Sequence, residues 1–419
     1  MQFTEFNFHP KVAAGVAAAG YVSPTPIQAR SIPPVLAGRD VMGLAQTGTG
    51  KTAAFALPIL HRLMNGGRGH VRALVVAPTR ELAEQIHAAI TELGRETGLR
   101  SVTVYGGVGI NPQIARLKKG VEIVIACPGR LLDHLNQKTI DLSRLEMLVL
   151  DEADHMFDMG FLPDIRRLLK QLPRQRQTLL FSATMPQEIR SLAKEVLRNP
   201  ETVQVDLVAP AVTVSHALYP VEEARKTDLL FSLLKHTGTG SVLVFTRTKH
   251  RAKRLGEKLI KTGYRATSLQ GTLSQNRRQA ALDGFRDGSH QILVATDIAA
   301  RGIDVSQVSH VINYDMPNTT DAYIHRIGRT GRAARSGDAF TMLTAADRAM
   351  ERALGKALGR PIERRSIEGF AIAAENSSAS TQPHRAKQPG GNSNPGRTKN
   401  NRRRRFSGRP TTPAAAASR

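Results

Sequence analysis

Met147-Leu148-Val149-Leu150-Asp151-Glu152-Ala153-Asp154 sets four apolar residues directly before three carboxylates. An unbroken apolar run of this length suits a strand buried on both faces, as in a parallel sheet covered by helices. Carboxylates at the exit of such a strand are costly unless a cation or a reaction uses them. A complement stands upstream, in Ala45-Gln46-Thr47-Gly48-Thr49-Gly50-Lys51-Thr52. This stretch matches the phosphate-cradling pattern GxxxxGK[ST] at every fixed position except the first, which is alanine. Its glycines let successive N–H groups turn inward on phosphate oxygens, and the helix that follows adds the positive end of its dipole. Lys51 is then placed to reach the β and γ phosphates of a nucleotide, and the Thr52 hydroxyl to ligate Mg²⁺. Read separately, the two stretches are a glycine loop and an acidic helix cap. Read together, they are two halves of one Mg-nucleotide site.

Working outward, short apolar runs recur between helical stretches: Ala73-Leu74-Val75-Val76, Ile123-Val124-Ile125, Leu148-Val149-Leu150 and Thr178-Leu179-Leu180-Phe181. The pattern restarts with Val242-Leu243-Val244-Phe245, Ile292-Leu293-Val294 and Val311-Ile312. The restart predicts two α/β domains in tandem. A stretch with Pro210 and Pro220 and few helix signals is the expected linker. The predicted boundaries are 1–208 for the first domain, 209–220 for the linker, 221–371 for the second domain and 372–419 for a tail.

The chain has 419 residues, with 59 Lys and Arg against 35 Asp and Glu, and a formal charge of +24. That excess favours a polyanionic partner, nucleic acid before an anionic membrane surface, and salt-sensitive binding. No run approaches the roughly 18 apolar residues of a membrane span, and Met1-Gln2-Phe3-Thr4-Glu5 lacks the basic and apolar regions of a secretory signal. A soluble, cytoplasmic protein is the expectation. Cys127 is the only cysteine, which excludes an intramolecular disulfide and a cysteine-based zinc site. From about Ile372 the composition turns to Ser, Asn, Gly, Pro and Arg, with the run Arg402-Arg403-Arg404-Arg405. Such a segment cannot offset its ordering entropy, so a disordered basic tail is predicted, suited to nonspecific RNA contact.

In order along roughly residues 3 to 340, further segments resemble the DEAD-box ATP-dependent RNA helicases. Gly20-Tyr21-Val22-Ser23-Pro24-Thr25-Pro26-Ile27-Gln28 is similar to the family's Q motif, with Phe3 in the place of its upstream aromatic. An amide presents both a donor and an acceptor, as the adenine edge does, so Gln28 can read adenine while Phe3 and Tyr21 supply aromatic surface. Pro78-Thr79-Arg80-Glu81-Leu82, Gly106-Gly107 and Pro128-Gly129-Arg130 are similar to the first-domain RNA contacts, which grip phosphates without reading bases. The family usually has threonine where Cys127 stands. Ser182-Ala183-Thr184 resembles the motif that couples hydrolysis to unwinding.

The second half supplies Phe245-Thr246-Arg247, Gln270-Gly271, Ala295-Thr296-Asp297, Arg301-Gly302-Ile303-Asp304 and His325-Arg326-Ile327-Gly328-Arg329-Thr330-Gly331-Arg332. The three arginines of the last stretch, at three-residue spacing, could converge on one polyphosphate. Gln270-Gly271-Thr272-Leu273-Ser274-Gln275 departs from the family's usual His-Gly-Asp-Met-Ser-Gln.

The resemblance implies two RecA-like parallel-sheet domains and ATP hydrolysis coupled to local unwinding of short RNA duplexes. It implies Lys51, Asp151, Glu152, Arg329 and Arg332 as catalytic residues, and Thr52 with Asp151 as Mg²⁺ ligands. ATP contacts would come from Phe3, Tyr21, Gln28, Ala45 to Thr52 and Asp304. RNA contacts would come from Pro78, Thr79, Arg80, Gly107, Arg130, Arg247, Gly271 and Thr296, and coupling from Asp154, Ser182, Thr184 and His325. In the family the closed state bends one strand and hydrolysis resets it. The segment Arg360 to Phe370 with its arginine-rich tail is similar to the RhlE-type bacterial subgroup, which implies ribosome assembly, cold adaptation or RNA turnover. Two other classes fit the same residues less fully: a basic RNA-annealing protein whose loop merely binds nucleotide, and a DNA helicase with the same two-domain core.

Overall fold

The apolar runs become the inner strands of two sheets. In the first sheet the strands are β1 (Val41–Leu44), β2 (Ala73–Val76), β3 (Ser101–Val104), β4 (Ile123–Ala126), β5 (Met147–Leu150), β6 (Gln177–Ser182) and β7 (Glu201–Gln204). Their order across the sheet is β3-β4-β2-β5-β6-β1-β7, and every pairing is parallel. The second sheet holds β8 (Val214–Pro220), β9 (Val242–Phe245), β10 (Ala266–Leu269), β11 (Ile292–Ala295), β12 (His310–Asn313), β13 (Gly337–Leu343) and β14 (Glu363–Arg364). Its order is β10-β11-β9-β12-β13-β8-β14, again parallel throughout. The two sheets therefore repeat one topology strand for strand. This computed structural model describes residues 1–46, 48–205, 214–238, 240–300, 308–331, 337–367 and 370.

Alternation within the apolar runs explains their unbroken character. Ala73 and Val75 join one buried cluster while Leu74 and Val76 join another on the opposite face, and Met147 and Val149 alternate with Leu148 and Leu150 in the same way. In β9, Leu243 and Phe245 face one cluster, Val242 and Val244 the other. A strand sandwiched between helix layers buries both sides, so apolar residues dominate it without alternation. Each such side chain contributes roughly 1.5–3 kcal/mol by leaving water.

The predicted linker needs correction. Residues 214–220 are strand β8, paired in register with β13 from Val214 opposite Gly337 to Pro220 opposite Leu343. Their polar content, Ser215 and His216, and the terminal Pro220 disguised them, yet Ala217 and Leu218 are wholly buried. Residues 206–213 lie outside the described part, as do 371–419 and with them the predicted tail. The post-core segment is structural as far as it is described: β14 extends the second sheet beside β8, and Phe370 is buried with the Arg225 guanidinium 4.5 Å above its ring. Among the described residues no helix is long and apolar enough to cross a membrane.

Candidate active site

The two halves of the motif pair lie at the carboxyl ends of β1 and β5, inner strands separated by β6, where a parallel sheet opens its crevice. The loop after β1 turns through Gly48 at φ 85° and Gly50 at φ 95° before the helix Lys51–Leu63 begins. A side chain at Gly50 would also collide with the Gln28 amide. Gln28 is buried and bridges two loops: its Oε1 accepts from the Thr25 N–H at 2.8 Å and its Nε2 donates to the Gly50 carbonyl at 3.1 Å. Gln28 thereby completes the capping box of the helix Pro26–Leu36 and ties that helix to the glycine loop. Phe3 and Tyr21 meet edge to face with centroids 5.4 Å apart beside this loop. Ala45 is buried at the end of β1, the Thr49 hydroxyl donates to the Gln46 carbonyl at 2.8 Å, and Thr47 lies outside the described residues.

Lys51 Nζ is buried and has no hydrogen-bond partner among the described residues. An orphaned ammonium costs several kcal/mol unless an anion meets it, so this geometry fits a phosphate. Facing it, Asp151 and Glu152 are each 2% exposed, too closed for hydration to compensate their charge. Burial raises the Asp151 carboxyl well above the ordinary range, although Lys51 draws it down. For Glu152 burial again pushes upward, but His155, Lys51 and Arg329 outweigh it and hold the carboxyl low, hence ionised. Glu152 occupies the left-handed backbone region at φ 53° and ψ 53°, between β5 and the helix Ala153–Asp158. A non-glycine residue held there costs of order 1–3 kcal/mol, a strain typical of functional sites. The oxygen-rich set of Thr52 and Asp151, completed by substrate phosphates, fits Mg²⁺, which commonly takes only one or two carboxylates from the protein.

Asp154 turns away from this site. Its Oδ2 accepts from the Thr184 N–H at 2.9 Å, the Thr184 hydroxyl at 3.0 Å and the Ala183 N–H at 3.2 Å. Its own N–H donates to Ser182 Oγ at 3.2 Å, and that hydroxyl donates to the Thr184 carbonyl at 2.7 Å. The acidic motif and Ser182-Ala183-Thr184 are thereby one rigid piece.

From the second domain, Arg329 is buried and acts electrostatically on Glu152, and the His325 ring meets His155 edge to face at 5.2 Å. Arg326 departs from the expectation of three convergent arginines. Its guanidinium bonds Asp297 at 2.5 and 2.7 Å, Asn313 at 3.1 Å and the Asp315 carbonyl at 2.7 Å, all within its own domain. The helix Thr320–Ile327 ends before Arg329, so helical periodicity no longer aligns the three side chains. Arg332, Arg301 and Asp304 lie outside the described residues.

The predicted phosphate-gripping residues gather at strand exits. Pro78 and Thr79 follow β2 and are buried, with the Thr79 hydroxyl accepting from the Leu82 N–H as a helix cap at 3.2 Å. Arg80 packs beneath Gly107, whose φ of 81° and lack of a side chain make room for the guanidinium, and bonds Gln275 of the second domain at 3.2 Å. Arg130 holds the Val108 carbonyl at 3.0 Å. Cys127 is a core residue, its thiol pushed up to about 12 by burial, and so unlike a polar RNA contact. Arg247 and Gly271 are exposed and Thr296 is half-buried. Sequence reasoning missed Arg278, whose Nε donates to Glu81 at 2.7 Å across the domains. The available signal was its i, i+3 spacing from Gln275 on one basic helix.

A glycine loop with an unpaired lysine, a carboxylate pair and a second domain supplying arginine define a two-domain nucleotide hydrolase. Comparison with known proteins carries this further. Residues 25–192 match the DEAD/DEAH box helicase family model and residues 225–334 the helicase conserved C-terminal domain. ATP-dependent RNA helicase CshA of Listeria monocytogenes is 45% identical over 82% of this chain and 66% of its own length. DEAD-box ATP-dependent RNA helicase RhpA of Helicobacter pylori is 45% identical over 82% of this chain and 69% of its own. The structure of S. cerevisiae Dbp5 bound to RNA and ADP BeF3 superposes with a TM-score of 0.78 at 34% identity, covering 87% of this chain and 95% of that one. For a Dbp5 variant bound to Nup159, Gle1, IP6 and ADP the TM-score falls to 0.60. The chain belongs to the DEAD-box ATP-dependent RNA helicases, ATP-hydrolysing enzymes that remodel RNA.

Proposed function

We propose that this protein hydrolyses ATP at the first-domain crevice and uses domain closure over RNA to open short duplexes or remodel RNA–protein complexes. Lys51 holds the β and γ phosphates; Gln28, Phe3 and Tyr21 receive the adenine; Thr52 and Asp151 would hold Mg²⁺. That ion, when bound, neutralises phosphate charge. Glu152 orients a water for in-line attack on the γ phosphorus, the bond to the bridging oxygen of ADP breaks, and the water's proton passes to the Glu152 carboxylate and from there to solvent. Arg329 and Arg332 stabilise charge on the transferring group from the second domain. Pro78, Thr79, Arg80, Gly107, Arg130, Arg247, Gly271 and Thr296 contact the RNA backbone, and Asp154, Ser182, Thr184 and His325 couple the two events. Because ATP and RNA both favour the closed arrangement, each tightens the other.

The observation that carries this reading is the buried Lys51 ammonium, without a hydrogen-bond partner among the described residues, set beside the buried Asp151 and Glu152 carboxylates, with Arg329 of the other domain within electrostatic reach. Glu152→Gln is expected to abolish RNA-stimulated phosphate release while RNA binding persists. Undiminished turnover would overturn the assignment, and stimulation by DNA equal to that by RNA would remove the substrate claim. Further proposals are a cytoplasmic, monomeric core, the RhlE-type subgroup, and association with ribosome-assembly or RNA-turnover complexes. The subgroup and its complexes rest on the segment Arg360 to Phe370 with the arginine-rich tail, and the location on the lack of a span-length apolar run among the described helices. Crosslinking to cellular RNA followed by sequencing tests them.

A further inference from the structure

His155, the residue directly after Asp154, has no part in the roles assigned above. It is 3% exposed, and its Nδ1 lies 2.9 Å from Glu152 Oε2. Its backbone N–H donates to Asp154 Oδ1 at 3.1 Å, which ties it to the rigid piece containing Ser182 and Thr184. On its other side the ring meets His325 of the second domain at an interplanar angle of 89°. One imidazole therefore touches the carboxylate proposed to orient water and the domain that must close over it.

A glutamate carboxylate swings on rotatable bonds, and the strained backbone at Glu152 does not by itself fix its oxygens. A donor at one oxygen removes that freedom. Displacing a reacting group by about 1 Å can cost on the order of 100-fold in rate, so such a brace is consequential. Resting on the assignment of Glu152 given above, we propose that His155 is a positioning residue for hydrolysis: it holds the Glu152 carboxylate through Nδ1–H and is itself braced by His325, so that the carboxylate is aligned only when the domains close.

The test compares His155→Ala, His155→Asn and His155→Gln in the full chain, with ATP and a short RNA duplex. The Asn amide nitrogen falls near the position of Nδ1, whereas the Gln amide reaches where Nε2 lies. His155→Ala is expected to lower RNA-stimulated kcat about 10- to 100-fold with KM for ATP nearly unchanged. His155→Asn should recover most of kcat, and His155→Gln should not. Adding His325→Ala to His155→Ala should cost less than His325→Ala alone, because the brace is already gone. Unchanged kcat in His155→Ala, equal activity of the Asn and Gln variants, or additive losses with His325→Ala would each overturn the proposal. Should the alanine variant fail to fold, the Asn and Gln pair, both polar and similar in size, still decides. An inactive Glu152→Gln beside a normal His155→Ala defeats this inference alone; an active Glu152→Gln defeats the underlying assignment.

Discussion

The two domains share one strand order, yet they treat the same corner of the sheet in opposite ways. After β1 the chain makes a glycine loop and starts a helix at Lys51, whose ammonium faces Asp151 beyond β5 and bonds nothing. After β8 the equivalent turn is Val221 to Arg225, without glycine, and the helix starts at Lys226. That lysine is bonded at 3.0 Å to Asp315 beyond β12, which also receives Arg251 and the Arg247 N–H. The second domain neutralises its lysine internally, while the first withholds a partner and leaves a place for an anion. Topology supplies the cradle; the local charge balance decides whether it can bind phosphate.

Making the same substitution in both cradles tests this contrast most directly. Lys51→Ala should reduce RNA-stimulated ATP turnover on the order of 1000-fold, measured as phosphate release, and cost little stability because no hydrogen bond is broken. Lys226→Ala should do the reverse, leaving chemistry nearly intact but destabilising the second domain by about 2–4 kcal/mol as Asp315 loses a buried partner, read from denaturant midpoints. Comparable stability losses in both variants would break the comparison.

A smaller effect is expected where the domains meet. Arg278→Ala leaves Glu81 buried without its ion pair and should weaken ATP-dependent RNA affinity about tenfold, the size of a modest coupling energy, with affinity in the absence of ATP unchanged. The smallest effect concerns acid. Burial would raise the Asp315 carboxyl, but the Arg247 N–H, Lys226 and Arg251 outweigh it and hold the group below its ordinary value. Its stabilisation is then complete above the unfolded value of about 4 and lost as pH falls from there towards the lowered folded value. Asp315→Asn should flatten the acid limb of second-domain unfolding in that window; an unchanged limb would show that the ion pair contributes nothing.

Legibility followed burial. The runs that announced strands, β2, β4, β5 and β6 in one sheet and β9, β11 and β12 in the other, are contiguous inner strands that bury both faces. The strands that escaped notice are mostly edges, β3, β7, β10 and β14, where half-exposed positions tolerate polar residues and blur the signal. Strand β8 is an inner strand, but Ser215, His216 and Pro220 interrupt its apolar run and give it the look of a linker. The approach of Lys51 to Asp151 and Glu152 was readable because a phosphate loop and an acidic strand exit need particular residue types at fixed spacing. Arg326, Arg278 and His155 were not, since their roles depend on partners 29 and 197 positions away in the first two cases, and on a second-domain ring in the third.

The sequence by itself determined the two-sheet architecture, the basic character of the chain and the cluster of carboxylates at the end of β5, because periodicity and motif spacing are local properties. Only the tertiary structure decided which charges are paired and which are left waiting. It separated Lys51 from Lys226, took Arg326 out of the site and kept Arg329 in it, and put His155 between Glu152 and His325. Charge pairing is settled by distance and desolvation in the folded chain, and neither can be read from the order of residues.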